Sequence, residues 1–212
     1  MTILVGVLCK DGVVMGADGS ATFAAGDLKT IEQPTTKIEI VFDQIVIAGT
    51  GQIGLGQRFC RLFNTSWGEA AKVGDGVDAC RKMCEFAIND FASTRVEKGQ
   101  YGALVAFPFK GEFKLCEFAA RDLQPELKTD KLWYVSMGSG QLIVDPFLAL
   151  MRRVFWTKGL PTHQDATFAV YWALRGMPDV LVMPLEEEEL PEFFRETATY
   201  ENPWTGLAEQ HI

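Results

Sequence analysis

Apolar positions along this chain switch repeatedly between short continuous runs and helical spacing. Residues 2–9 and 12–18 read as two strands joined by a tight Lys10-Asp11-Gly12 turn. A polar stretch from Gly26 to Thr36, with Pro34 near its end, separates them from a second apolar pair. That pair is Lys37 to Phe42 and Ile45 to Ala48, joined at Asp43-Gln44. The segment Gly49-Thr50-Gly51-Gln52-Ile53-Gly54-Leu55-Gly56 ends the fourth strand and opens a helix to about Trp67. After Gly74-Asp75-Gly76, apolar residues at Val77, Cys80, Cys84, Ala87, Ile88 and Phe91 predict an amphipathic helix over 77–98. Strands at 101–108, 112–120 and 131–137 come next, with Pro125 in the last connection. Gly138-Ser139-Gly140 leads into a helix over about 141–157. Lys158-Gly159-Leu160-Pro161 ends it, and Thr162 caps a helix over 163–175. A strand at 179–184 and an acidic tail from about 185 complete the chain.

This order is four strands, two helices, three strands, two helices, then further strand. A doubly wound fold would require strict strand–helix alternation, which is missing. Two antiparallel sheets with a helix pair on each outer face bury every element, so the expected class is α+β, a four-layer αββα sandwich. At 212 residues, one domain spanning 1–212 is expected.

Composition narrows the function classes. A net charge of −8 argues against nucleic acid as a partner, which calls for a basic patch. No apolar run reaches the roughly 18 residues of a membrane span. The start has no basic segment, and Asp11 and Asp18 interrupt its apolar run, so the protein is expected to stay in the cytoplasm. The five cysteines lack C-x-x-C spacing and only His163 and His211 could join them. They read as reduced, mostly buried thiols, and no metal or other cofactor is expected.

The chemistry gathers at Thr2. Thr is small enough for the initiator Met before it to be removed, leaving a hydroxyl and a free α-amine on one residue. Such a residue carries its nucleophile and its base together. A retained Met1 would turn that amine into an amide and remove the base. Gly49-x-Gly51-x-x-Gly54, after a strand and before a helix, also meets the dinucleotide fingerprint locally. The elements before it are hairpins, however, and Glu69 at the matching separation lies in a Trp67-Gly68-Glu69 break. The same glycines suit a main-chain oxyanion donor at a helix start.

Several segments, in order, resemble the proteasome β-type subunits and the related bacterial HslV peptidases. They are Thr2-Ile3-Leu4-Val5-Gly6-Val7, Gly12 to Thr22 with Asp18-Gly19-Ser20-Ala21-Thr22, Thr36-Lys37-Ile38, Ala48-Gly49-Thr50-Gly51 and Met137-Gly138-Ser139-Gly140. The resemblance covers about residues 2–184 and implies an N-terminal-nucleophile hydrolase with the αββα fold. It assigns Thr2 as nucleophile, Asp18 and Lys37 as its charged partners, Gly51 as oxyanion donor and Ser139 as a hydrogen-bond partner of the nucleophile's surroundings. Ala21 and Thr22 match the strand that pairs with an extended substrate, and Gly49 the floor of the specificity pocket. The connection before Lys37 is about three residues longer than usual in the family, and the acidic tail has no counterpart.

The resemblance thus implies a threonine-type endopeptidase acting on peptides or unfolded proteins in stacked rings of its own copies. An ATPase feeding the chamber is the further partner it allows. A catalytically silent ring subunit is the alternative, and a dinucleotide-binding enzyme the third reading.

Overall fold

The computed structural model describes residues 2–25, 28–96 and 99–175, all within the unit Met1–Val182. The strand expected at 179–184 and the acidic tail lie outside the described residues. The chain runs β1 (Leu4–Leu8), β2 (Val13–Ala17), β3 (Ser20–Ala25), β4 (Leu28–Pro34), β5 (Ile38–Val41) and β6 (Ile45–Gly51). Helices α1 (Ile53–Ala70) and α2 (Gly76–Ser93) follow, then β7 (Tyr101–Phe109), β8 (Glu112–Phe118), β9 (Pro125–Leu127) and β10 (Tyr134–Met137). Helices α3 (Gln141–Val154) and α4 (His163–Arg175) come last.

Two sheets stack face to face. One has the order β10-β1-β2, the other β5-β6-β7-β8-β9. Leu4, Ala48, Leu104, Leu115, Val135 and Met137 fill the space between them. Helices α1 and α2 cover the outer face of the larger sheet, while α3 packs on β10 and α4 on β1 and β2. This is the expected four-layer αββα sandwich. Strand β1 lies in the middle of the stack, and Leu4 to Val7 are buried on both of its faces. Strand β7 shows why alternation reads as a sheet between layers. Tyr101, Ala103, Val105 and Phe107 point to the helices, and Leu104 points to the other sheet. Against them α1 presents Phe59 and Phe63, with ring centroids 5.1 Å apart. Each such buried ring stabilises the fold by about 2–3 kcal/mol.

Several details differ from the sequence reading, among them α1, which runs through Trp67-Gly68-Glu69 to Ala70 without a break. The polar stretch 26–36 is not a plain connection, because β3 and β4 form a two-stranded ribbon with a register shift at Phe23/Ala24. This ribbon is a sheet of its own, so its sequence lacks the alternation that marks a strand of a packed sheet. The β5–β6 turn centres on Phe42 and Asp43, both at positive φ, with the Gln44 amide donating to the Val41 carbonyl at 3.2 Å. Strand β10 starts at Tyr134, because Thr129 and Leu132 exchange both backbone hydrogen bonds in a tight turn. Pro125 opens the short edge strand β9, a position where its missing N–H costs nothing.

Helix α2 stops at Ser93 rather than 98. The Val96 amide donates to the Phe91 carbonyl at 3.3 Å and the Arg95 amide to Ala92 at 3.0 Å. That pair of bonds is a Schellman stop, and it puts Arg95 at φ 58° where glycine is the usual choice. Arg95→Gly is therefore expected to raise stability by about 0.5–1 kcal/mol in urea denaturation. An unchanged or lower midpoint would remove this account of the helix end.

Candidate active site

The register of β1 places the start of the chain. Leu4 stands opposite Ala17 on one side and Met137 on the other. Thr2 and Ile3 therefore emerge between the end of β2, where Asp18 sits, and the end of β10, where Gly138-Ser139-Gly140 begins. Both sides hold them. The Asp18 amide donates to the Ile3 carbonyl at 3.1 Å, and the Gly140 amide to the Thr2 carbonyl at 3.1 Å. The Ile3 amide donates to Asp18 Oδ1 at 2.6 Å, and the Thr2 nitrogen to Ser139 Oγ at 3.0 Å. The glycines around Ser139 are required by this close approach. At Gly138, with φ 96°, a Cβ would lie 2.3 Å from the Thr2 carbonyl oxygen. One on Gly140 would lie 2.3 Å from the Ile3 side chain.

Lys37 enters from the second sheet. It directly precedes β5, and its carbonyl accepts from the Gly49 amide at 3.2 Å. Its Nζ lies 2.6 Å from Asp18 Oδ2 and 3.2 Å from Thr2 Oγ1. The Lys37 and Asp18 side chains are only 9% and 7% exposed, so neither charge is left to water. Asp18 Oδ2 also accepts from the Ser20 amide at 3.2 Å. The carboxylate thus has an ammonium and two amides, while the ammonium has the carboxylate and the Thr2 hydroxyl. The arrangement brings a fixed positive charge to the Thr2 oxygen, where an alkoxide would need it.

Beside Thr2 opens a pocket of about 610 Å³, lined by Ala21, Lys37, Gly49, Gly51 and Tyr101 among others. Gly51 ends β6 at φ 106°, and a Cβ there would lie 2.2 Å from the Gln100 carbonyl oxygen. A Cβ on Gly49 would fall 2.7 Å from the Tyr101 hydroxyl. Cys60 also lines the pocket, but burial, with the nearby Glu39 charge, pushes its thiol up to about 11. It is held as the thiol and is no rival nucleophile.

Of the residues singled out from sequence, Thr2, Asp18, Lys37 and Ser139 come together through direct hydrogen bonds. Gly49, Gly51 and Ala21 share the Thr2 pocket. Thr22 lies on β3 opposite Glu32. The dinucleotide reading of Gly49, Gly51 and Gly54 is corrected, since every strand pair of the described residues is antiparallel and no parallel crossover follows β6. Gly49 and Gly51 serve the close pairing of β6 with β7 instead. The sequence reading missed Tyr101, which it placed only within the strand over 101–108. It also missed the Ile3 and Ser20 amides, since backbone donors leave no mark in a sequence.

Comparison with known proteins follows the same line. A model of the proteasome subunit family matches residues 2–149. Among solved structures, the chain is similar to Anbu (ancestral beta-subunit) from Yersinia bercovieri, with a TM-score of 0.60 and 16% identity. That match covers 85% of this chain and 78% of the other. It is likewise similar to an Anbu (Gly-1) mutant from Hyphomicrobium sp. strain MC1, with a TM-score of 0.64 and 16% identity. There the coverage is 86% and 79%. At that identity the two structures speak for the fold alone. No curated relative matches.

The charge pair predicts an asymmetry. Asp18→Ala leaves a buried ammonium with only a hydroxyl partner and is expected to cost about 3–5 kcal/mol. Lys37→Met leaves the carboxylate with its two amide donors and is expected to cost about half as much. Urea denaturation of both variants checks the order, and equal losses would contradict it.

Proposed function

The chain belongs to the proteasome subunit family, and from that premise we propose that it is a threonine-type endopeptidase with Thr2 as nucleophile. The observation that carries the reading is the Lys37 ammonium 3.2 Å from Thr2 Oγ1 and fixed by Asp18. Hydrolysis of the Met1–Thr2 bond frees the Thr2 amine beside Ser139 Oγ. That amine takes the proton of Oγ1 as the oxygen attacks the substrate carbonyl carbon, while Lys37 holds the developing negative charge. The Gly51 N–H serves as oxyanion donor, a contribution of about 3 kcal/mol in well-studied enzymes. The carbon–nitrogen bond then breaks, the amine returns its proton to the leaving nitrogen, and an ester on Thr2 remains. Water attacks that ester, giving its proton to the same amine; the bond from the acyl carbon to Oγ1 breaks, the amine returns the proton to Oγ1, and the acid product leaves.

Substrate placement follows from the β3 ribbon. Among the described residues β3 pairs with β4 alone, so its other edge can take an extended peptide as an added strand along Ala21 and Thr22. Gly49 at the pocket wall leaves room for the side chain preceding the scissile bond. Assembly into stacked rings of one chain type, acting in the cytoplasm with its active sites facing a chamber, completes the proposal. Helix α3 supports it by exposing Leu142, Ile143, Leu150 and Val154, an apolar surface suited to a second copy. No helix of the described residues is long and apolar enough to cross a membrane.

Hydrolysis of a fluorogenic peptide panel by the purified protein tests the reading. The wild-type protein is expected to be active and to lack Met1 by intact mass. Thr2→Ala and Lys37→Ala are each expected to lower kcat/KM by roughly 10³-fold or more. A protein that keeps Met1 and cleaves nothing would instead be a silent ring subunit.

A further inference from the structure

The pocket beside Thr2 holds an unresolved polar group. Tyr101 is only 4% exposed, and its hydroxyl is the one buried side-chain polar atom without a hydrogen-bond partner among the described residues. A buried hydroxyl left unpaired is destabilising, so each one in a folded protein calls for an explanation. The ring is not there by default of space. It stands between Gly49 on β6 and Gly56 on α1, whose missing Cβ atoms would lie 2.7 Å from its hydroxyl and 3.3 Å from its edge. Phe59 and Phe91 hold it from behind, with ring centroids 5.4 and 6.2 Å away. A phenylalanine would make the same apolar packing, so the hydroxyl itself needs a reason.

Glu39 supplies the second observation. It lies on β5 two residues after Lys37 and lines the same pocket, as does Cys60. Lys37 is committed to Asp18, but Glu39 has no ion pair among the described residues. The pocket therefore carries an exposed carboxylate without an ion pair among the described residues, a buried hydroxyl oxygen without a donor, and a volume that admits a long side chain.

We propose that this pocket selects a lysine or arginine side chain immediately before the scissile bond, its cationic end hydrogen-bonded to the Tyr101 hydroxyl and facing the Glu39 carboxylate. The inference rests on reading the pocket as the seat of that side chain. Tyr101 and Glu39 act here as specificity residues and take no part in bond breaking.

Binding separates this inference from the catalytic one. The probes are N-terminally labelled tetrapeptide amides that differ only in the last residue, which is Lys, norleucine or Glu. Fluorescence anisotropy with the full-length Thr2→Ala protein is expected to show Lys bound roughly tenfold tighter than norleucine, with Glu weakest. Tyr101→Phe and Glu39→Gln, each added to Thr2→Ala, are expected to cut that preference to about threefold or less. Tyr101→Phe should also leave the unfolding midpoint unchanged or raised, since it removes an unpaired buried group. Equal or tighter binding of norleucine, an unchanged preference in both variants, or no binding of any peptide overturns the proposal. If the Lys preference holds while wild-type protein cleaves none of the same peptides extended beyond Lys, the Thr2 nucleophile falls and the pocket assignment stands.

Discussion

One oxygen of Asp18 accepts from the Ile3 amide, and the other accepts from Lys37 and from the Ser20 amide. This buried carboxylate is where the two sheets and the start of the chain are tied together. It stands at the end of β2, holds the residue before β1, and anchors a lysine delivered by the second sheet. A carboxylate and an ammonium so little exposed are tolerable only as a pair with their remaining valences filled. The pair therefore constrains the stacking of the sheets as much as it prepares the Thr2 oxygen. Without it, the sandwich could keep its apolar layers and lose the alignment of lysine and hydroxyl.

The sandwich serves that alignment by leaving no slack near it. Strand β1 is buried on both faces and paired on both edges, so Thr2 stands two residues before the central strand of the three-stranded sheet. Gly138 and Gly140 let the segment after β10 close on Thr2 from the side opposite Asp18. A residue so near a chain end would ordinarily be among the most mobile parts of a protein. Here four hydrogen bonds to the main chain of Thr2 and Ile3 restrain it.

Much of this was legible in the sequence because it lies in strand ends and glycine-bounded turns. Asp18 closes an apolar run, Lys37 opens another, and Gly138-Ser139-Gly140 sits between a strand and a helix. Those boundaries are visible in the pattern, while the choice of these residues as a set came from the resemblance of the segments that carry them. The β3–β4 ribbon was not, since it is not one of the two packed sheets and carries no apolar stripe. The end of α2 at Ser93 was hidden for a different reason, because a Schellman stop with Arg95 in place of glycine leaves no residue signal. Tyr101 is the instructive case. Its place at the start of the strand over 101–108 was read correctly, yet a strand pattern cannot tell a tyrosine whose hydroxyl is paired from one whose hydroxyl is not. Only the three-dimensional neighbours Gly49 and Gly56 reveal that the ring faces a pocket.

The central claim is that the hydroxyl and the amine of Thr2 act as one chemical unit beside Lys37. Tandem mass spectrometry of the N-terminal peptide after reaction with a peptide epoxyketone tests it most directly, because this electrophile closes a ring only on a residue offering both groups. The account predicts an adduct confined to Thr2 in a chain that lacks Met1, absent when Lys37 is replaced by alanine. An N-terminal peptide that still begins with Met1 and carries no adduct, or an adduct on another residue, would contradict it.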